Sequence, residues 1–560
     1  MPSRIGIDLD NTILRYDEVF YSLAQAELWI DRNCLCDKDA IKKGLTKNAE
    51  SAEKSEKRWQ QLQAWAYGKD ISKALVYDGL FNFTKQARLR GDELFIVSHK
   101  TEFSNFDPSI NLRRSALDTL GQRGFFKSII QGGLGFSLQD IFFASSLDEK
   151  VKTIRELKLT HFIDDLSKVI CHPDFPQDTI GILFEPGIEK GSEEKRIFRA
   201  WDDAEEFFSL SSWFKAELAS SLDFLCPFPS SGNNRVCKIR MENGEKYVVK
   251  KYLQLSKDSR PRLQAEFGHL SALWQLGYRN IPKPILREES RAVYSLIKGV
   301  PVKSIGDAEI KQVLIFLTSL SDNSIKLRTF SILPGSDFRA CLRDYIDQIE
   351  KRYNRITQGA KNSKWEKEVN TFMKQYFLST KEFIFNKFYD SIEPLGWDVH
   401  RPFEETERMF CPSDFGFHNI LADTHNQEEL FFLDFEYSGW DDPAKLLADF
   451  FHHVGQDVSW EHKWFLLEQF AAHRKQDPNF LRRWETVIDL IGLEWVLIVL
   501  NVIDPNEMER KRFANPALDP AELVKIRLAK AGQMINEMAE RMRQGEDRIS
   551  IPPRKQMVSP

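Results

Sequence analysis

Cysteine is scarce. Seven residues in 560, an odd number scattered at 34, 36, 171, 226, 237, 341 and 411 with no C-x-x-C pair, exclude a disulfide framework and a Cys-based zinc or redox centre. The thiols are expected to be reduced. No unbroken apolar run of about 18 residues is present, so no membrane-spanning segment is expected. A charged, apolar, cleavable leader is also missing, because MPSR passes straight into the strand-like IGIDL. The expected location is the cytoplasm. Nor is there an excess of positive charge: 78 Lys and Arg face 83 Asp and Glu, for a net charge of −5. A chain of that balance has no global attraction to nucleic acid or anionic membranes, and small molecules are the expected partners.

What is present is a globular composition, 42% hydrophobic, 29% charged and 12% aromatic, over a length that exceeds one ordinary core. At least two domains follow. Up to about residue 210, short apolar runs (IGIDL, ELFIVS, IFFAS, HFIDD, IGILF) alternate with amphipathic stretches. That alternation predicts an α/β domain with a doubly wound parallel sheet, whose ligands bind at the carboxyl ends of the strands. It spans residues 1–212, with a helical insertion at 16–77 that reads either as a cap over the site or as a solvated helical pair. Punctuation by Pro, Ser and Gly in CPFPSSG marks a junction, and 213–226 is expected as a linker. VCKIRMENGEKYVVKKY then predicts a hairpin turning at Asn243-Gly244. From Arg262 helices dominate, apart from a second hairpin-like pair around His418–Phe435. A small sheet lobe and a large helical lobe fill 227–541, and 542–560 is expected to be a disordered tail.

Acidic and phosphate-facing residues recur at the strand ends of the first domain: Asp8, Asp10 and Thr12 after IGI, Ser98 after FIV, Lys150 after IFFASSLDE, and Asp164 with Asp165 after HFI. This set suffices for phosphoryl transfer to an aspartate. One carboxylate attacks phosphorus, a second protonates the leaving oxygen and activates water, and the other two help hold Mg2+. The arrangement resembles the haloacid-dehalogenase-like phosphohydrolase superfamily. The resemblance implies Asp8 as nucleophile, Asp10 as general acid and base, and Thr12, Ser98 and Lys150 as phosphate ligands. It also implies Mg2+ held by Asp8, Asp165 and the backbone carbonyl of Asp10, with Asp164 as ligand or just behind. Lys152 is a nearby alternative to Lys150.

A second constellation begins at SSGNNRVCKIRMENGEKYVVKK, a Gly/Asn loop followed by a strand, a turn and a strand ending in lysine. Such a loop allows close backbone approach to phosphates, and Lys250 can neutralise them with Glu266 placed to pair with it. Far downstream, PSDFGFHNIL and FFLDFEYSGWDDPAK supply Asp414, Asn419 and Asp434, one carboxylate to deprotonate an acceptor and two oxygen ligands for Mg2+. These residues resemble the aminoglycoside phosphotransferase and choline kinase group, whose fold is protein-kinase-like. The resemblance implies nucleotide contacts from Gly232, Asn234, Arg235, Lys250, Glu266 and the hinge at Leu296 and Ile297, with ATP as co-substrate. Pro412-Ser413 and Leu446 depart from the common pattern of that group. His418, Asp441 and Asp442 read as structural.

The combined expectation is a bifunctional enzyme, an Mg2+-dependent phosphomonoester hydrolase joined to an ATP-dependent kinase for a small hydroxyl compound such as a sugar or amino alcohol. A retired domain sensing nucleotide or phosphate is the alternative. Nucleic-acid end processing is disfavoured by the absence of a basic stripe.

Overall fold

The apolar runs of the first two hundred residues become six parallel strands, β1 (Arg4–Ile7), β2 (Glu93–His99), β3 (Ile141–Ala144), β4 (His161–Asp164), β5 (Ile180–Phe184) and β6 (Ile197–Phe198). They lie side by side in the order β3-β2-β1-β4-β5-β6. Five successive residues of β2 are buried, as a parallel sheet covered on both faces requires. The strand order reverses at the β1–β4 junction, the place where open sheets of this kind bind ligands beyond the carboxyl ends of their strands. Close packing at that junction needs glycine: a Cβ on Gly6 would fall 2.3 Å from Leu159 and 2.7 Å from the Phe162 ring.

This computed structural model describes residues 2–186, 196–218, 220, 222–228, 233–253, 260–424, 429–515 and 518–552. The chain divides into two units, residues 1–226 with 239–245, and residues 227–238 with 246–560.

In the first unit the segment after β1 carries α1 (Asp17–Ala26), α2 (Lys38–Lys47) and α3 (Ala52–Ala64). It is closed at its base by a short ladder pairing Leu14 with Val76 and Arg15 with Leu75. Its interior is aromatic, with Phe20 stacked on Trp59 and Tyr67 edge-on to both Tyr16 and Phe20. Helices α4 (Leu80–Arg90), α5 (Leu112–Gln122) and α6 (Leu147–Glu156) follow the pattern of one helix between successive strands.

The expected linker at 213–226 is corrected. Helix α7 (Trp201–Leu218) runs through its first half because Leu210 and Phe214 keep an apolar face buried, and strand β7 (Leu222–Phe228) takes up the remainder. Pro227, read from sequence as punctuation, is accommodated because β7 is an edge strand and its missing N–H breaks no interior ladder.

The hairpin sequence forms β8 (Arg235–Met241) and β9 (Lys246–Lys251), turning at Gly244 with φ +86°. With β10 (Pro284–Arg287) and β11 (Arg291–Ser295) they make a five-stranded sheet ordered β10-β11-β9-β8-β7. Helix α8 (Arg262–Gln275) follows β9, and the chain leaves the sheet through 296–298 into β12 (Gly299–Pro301). The helical part contains α9 (Asp307–Asp322), α10 (Arg343–Ala360) and α11 (Leu378–Ile392). Small ladders interrupt it, pairing β13 (Met409–Cys411) with β16 (Gly439–Asp441), and β14 (Ile420–Asp423) with both β12 and β15 (Leu430–Phe432). Five further helices follow: α12 (Pro443–His452), α13 (Trp460–His473), α14 (Phe480–Val499), α15 (Pro505–Ala514) and α16 (Pro520–Arg543).

Two features of the second unit bear on the expectations drawn from sequence. The helical stretch Phe480–Ile503 is long and apolar enough to cross a membrane, but 89% of its most apolar 18-residue window is buried within the protein. The run is not unbroken, because Asp489 and Glu494 interrupt it. Both are paired inside, Asp489 with Lys387 at 2.9 Å and Glu494 with Arg339 and Arg352 at 2.7 and 2.9 Å. The expected disordered tail is ordered as far as Pro552. Ile549 and Ile551 are fully buried, and Ser550 donates to Asp489 from its N–H and its hydroxyl at 2.9 and 2.6 Å. Residues 553–560 lie outside the described residues.

Candidate active sites

In the first unit, Asp8 directly follows β1, and its N–H donates to the Ile163 carbonyl of β4 at 2.9 Å. Lys150, from the first turn of α6, is 1% exposed and stands between two carboxylates, 2.5 Å from Asp8 and 2.6 Å from Asp164. Burial alone would lower the Lys150 ammonium, but these two neighbours hold it above the ordinary lysine range. Lys152 instead pairs with Glu156 at the surface. Burial pushes Asp8 well above the usual carboxylate range against the pull of Lys150, and pushes Asp165 up to about 7 with Asp164 adding to the rise. Carboxylate oxygens of Asp8, Asp164 and Asp165 lie within 4.8 Å of one another, an all-oxygen donor set that suits Mg2+.

Two more observations bear on a ligand. The hydroxyls of Thr12 and Ser98 are fully buried and have no hydrogen-bond partner, an expensive state unless an acceptor such as a phosphate oxygen completes it. Asn11, between Asp10 and Thr12, has φ +60° and donates to Asp165 at 3.3 Å. Asp10 is not part of the acidic trio. Tyr16 donates to its Oδ1 at 2.7 Å and Lys100 meets its Oδ2 at 2.8 Å.

In the second unit Lys250, from β9, is buried among three carboxylates, 2.7 Å from Glu266 of α8, 2.6 Å from Asp434 and 3.4 Å from Glu436. Tyr252 donates to Glu266 as well, at 2.6 Å. Burial pushes Asp434 up to about 7, with Lys250 opposing and Glu436 reinforcing the rise. Ligand oxygens of Glu266, Asp434 and Glu436 fall within 4.8 Å of one another, again a donor set for a hard cation. Asp434 itself has φ +64°, as does Ser413 next to Asp414. Of the six non-glycine residues with positive φ among those described, three lie at or beside the candidate sites, where such strain commonly concentrates.

Asp414 accepts at Oδ1 from two imidazoles, His453 at 3.2 Å and His418 at 3.3 Å, whose rings stack 3.9 Å apart. Burial would raise the Asp414 carboxyl, but these two donors hold it below the usual carboxylate range. The Asn419 amide donates to the Asp414 carbonyl at 2.9 Å, which ties the two ends of the loop together.

The remaining sequence-derived positions are placed as follows. Asn234 is buried and donates to Glu436, while its carbonyl oxygen has no partner. Arg235 is committed to α15, donating to the Phe513 carbonyl at 2.9 Å and lying 4.7 Å over the Phe513 ring. Leu296 and Ile297 are half-buried between β11 and β12. Gly232 lies outside the described residues. Asp442 caps α12 and is held by Arg483 and Tyr345, and Asp441 binds the Arg339 N–H and Lys445. His418, read as structural, touches Asp414.

Sequence reasoning missed Lys100, Tyr16, Tyr67, Glu436 and His453. Lys100 sits two residues beyond Ser98 and Glu436 two beyond Asp434, so strand-end spacing held a signal for both. No local pattern marks His453.

No protein-family model and no curated protein matches the chain. Among solved structures it is similar to the choline kinase of Streptococcus pneumoniae, at 17% identity and TM-score 0.34 over 58% of this chain and 98% of that one. It is similar to an ethanolamine kinase of Plasmodium vivax, at 14% identity and TM-score 0.35 over 52% of this chain and 81% of that one. A spectinomycin phosphotransferase solved with ADP and spectinomycin matches at 14% identity and TM-score 0.38, over 58% of this chain and 98% of its own.

Proposed function

We propose that the chain is a bifunctional enzyme, with an ATP-dependent phosphotransferase in the second unit and a phosphomonoester hydrolase of haloacid-dehalogenase type in the first. The observation that carries the kinase reading is Lys250, whose ammonium joins Glu266 to Asp434. That is the group needed to receive the α- and β-phosphates of ATP. The acceptor hydroxyl gives its proton to Asp414 through the oxygen that the imidazoles do not use. The acceptor oxygen then bonds to the γ-phosphorus as the bond to the β-bridging oxygen breaks, releasing ADP. Asp434, Glu436 and Asn419 would hold Mg2+, which when bound neutralises charge on the phosphate oxygens. The acceptor is a small hydroxyl compound, with sugars and amino alcohols the first classes to test.

The observation that carries the hydrolase reading is the pair of unpartnered buried hydroxyls, Thr12 four residues after Asp8 and Ser98 on the strand next to β1, together with the Asp8–Lys150–Asp164 group. An incoming phosphate would satisfy both. An Asp8 oxygen bonds to phosphorus, the ester P–O bond breaks, and Asp10 gives the leaving oxygen its proton. Asp10 then takes a proton from the water that hydrolyses the aspartyl-phosphate. Asp8, Asp164 and Asp165 would hold Mg2+. Acting on one position of one compound, the two reactions would consume ATP without net change, so different positions or successive compounds are the expected substrates. A screen of the full chain for phosphate release and for ATP consumption, against phosphorylated and free sugars and amino alcohols, tests the proposal. Activity of each kind supports it, and inert behaviour in both assays contradicts it.

A further inference from the structure

Both oxygens of Asp10 already accept. Tyr16 donates to Oδ1 at 2.7 Å and Lys100 meets Oδ2 at 2.8 Å, so the leaving oxygen of a phosphate ester must compete with one of these donors for the carboxyl. Tyr16 is the wrong one to move. It is fully buried, with its ring edge-on to Phe20 and Tyr67 at 6.5 and 4.8 Å. Lys100 has a flexible four-carbon stem, but its side chain is only 2% exposed. A buried ammonium that loses its counter-ion is left uncompensated unless another anion takes that place.

The surroundings of Lys100 supply somewhere for such an anion. Its ammonium lies 4.9 Å from the centre of the Tyr67 ring, and Lys38 of α2 lies 5.8 Å from the same centre with its Nζ 3.1 Å from the Tyr67 hydroxyl. Two cations and a phenol therefore meet around the Tyr67 ring, Lys100 on Asp10 and Lys38 at the phenol hydroxyl with Asp165 as its acidic neighbour, and the insertion contributes Lys38 and Tyr67. Neutral leaving groups would leave the Lys100–Asp10 pair closed.

We propose that Lys100, Lys38 and Tyr67 form a subsite for a second anionic group carried on the leaving part of the substrate. The substrates of the first unit are then phosphate esters bearing a further carboxylate or phosphate. The inference rests on the hydrolase reading above and adds a substrate class to it. Binding of that anion draws Lys100 off Asp10 and frees an oxygen for the leaving group, so recognition and catalysis are coupled through one lysine.

The test uses the full chain carrying Asp8→Asn, with Mg2+, and calorimetric binding of ethyl phosphate, phosphoglycolate and ethylene glycol bisphosphate. The two doubly anionic probes should bind about tenfold more tightly than ethyl phosphate, and adding Lys100→Met should erase most of that preference. The tighter of the two identifies carboxylate or phosphate as the second group. Lys38→Met, at a half-exposed position, should narrow the preference in the same direction and serves if Lys100→Met does not fold. Equal binding of all three probes, binding of none, or a preference untouched by both lysine variants overturns the subsite. If the preference appears but the unsubstituted chain releases phosphate from none of the three, the hydrolase reading falls and the anion subsite stands.

Discussion

The imidazole of His453 stands 3.2 Å from Oδ1 of Asp414, although 39 positions separate them in the chain. The Gly455 N–H donates to the other ring nitrogen, Nδ1, at 3.0 Å, which leaves the proton of the neutral ring on Nε2, facing the carboxylate. The ring edge also packs on Trp495, whose indole N–H is anchored on Asp449 at 2.9 Å. His453 is thus a positioning residue for the proposed catalytic base, and Asp414 keeps its second oxygen for an acceptor.

Asp414→Asn should lower kinase kcat by about 10²–10⁴-fold, the range for loss of a general base. His453→Ala should cost about tenfold in kcat with the KM for ATP unchanged, and His453→Gln should recover part of it. Because burial pushes Asp414 up and the imidazoles hold it down, removing one raises its pKa. The acid limb of the kcat profile should move to higher pH in His453→Ala. A profile that does not move would leave His453 a packing residue only.

Lys250→Met should destabilise the second unit strongly, because Glu266, Asp434 and Glu436 would lose the cation they share. Breaking a buried pair from one side typically costs about 3–5 kcal/mol. Glu266→Gln should be milder, since Lys250 keeps Asp434 and Glu436. Urea unfolding followed by intrinsic fluorescence measures both.

Mg2+ binding should weaken on acidification. Burial raises Asp165 and Asp434 to about 7, and the cation needs their ionised forms, so below that pH each site must release a proton to bind. Affinity should fall by up to about tenfold per pH unit for one released proton. Titrations at pH 6, 7 and 8, on chains carrying Asp165→Asn or Asp434→Asn to remove one titrating ligand at a time, separate the two contributions.

Acid should also unfold the second unit by a route independent of the carboxylates. His269 and His452 are buried and pushed down to about 4, chiefly by burial. His269 accepts the Leu333 N–H at Nε2 and donates through Nδ1 to Ser438, so a second ring proton has no place. In the unfolded chain both rings titrate near the ordinary value of about 6.5. Their folded values are depressed, so their contribution is fully present above about 6.5 and is lost as pH falls towards 4. Between those values each histidine should remove about 1.4 kcal/mol per pH unit. Thermal unfolding from pH 7 to 4.5 should show that decline, and His452→Gln should flatten it.

Much of this was legible in the sequence where chemistry and secondary structure share a short stretch. Asp8, Ser98 and Asp164 sit at strand ends, and alternating apolar runs mark those ends without any tertiary information. Lys250 and Glu266 were readable as a pair from a strand and the helix that follows it. What escaped lies across long separations or depends on orientation. His453 follows the last turn of α12 and reaches Asp414 only because Gly455 and Trp495 fix its ring. Lys100 was passed over because a lysine beyond a strand end looks solvated until Asp10 and Tyr67 enclose it. The segment 544–552 looked like a tail because Gly, Glu, Asp and Pro surround two isoleucines, whose burial depends on a groove along α14. The apolar character of α14 was hidden by two charges that only the fold shows to be paired.

The central claim is that one chain carries two separable phosphoryl-transfer sites, and paired inactivation tests it most directly. Phosphate release and ATP-dependent phosphorylation would be measured on the full chain, on Asp8→Asn and on Asp414→Asn, against one panel of esters and hydroxyl compounds. The account predicts that Asp8→Asn abolishes phosphate release while phosphorylation continues, and that Asp414→Asn does the reverse. Loss of both activities in either variant, or survival of phosphate release in Asp8→Asn, would contradict it.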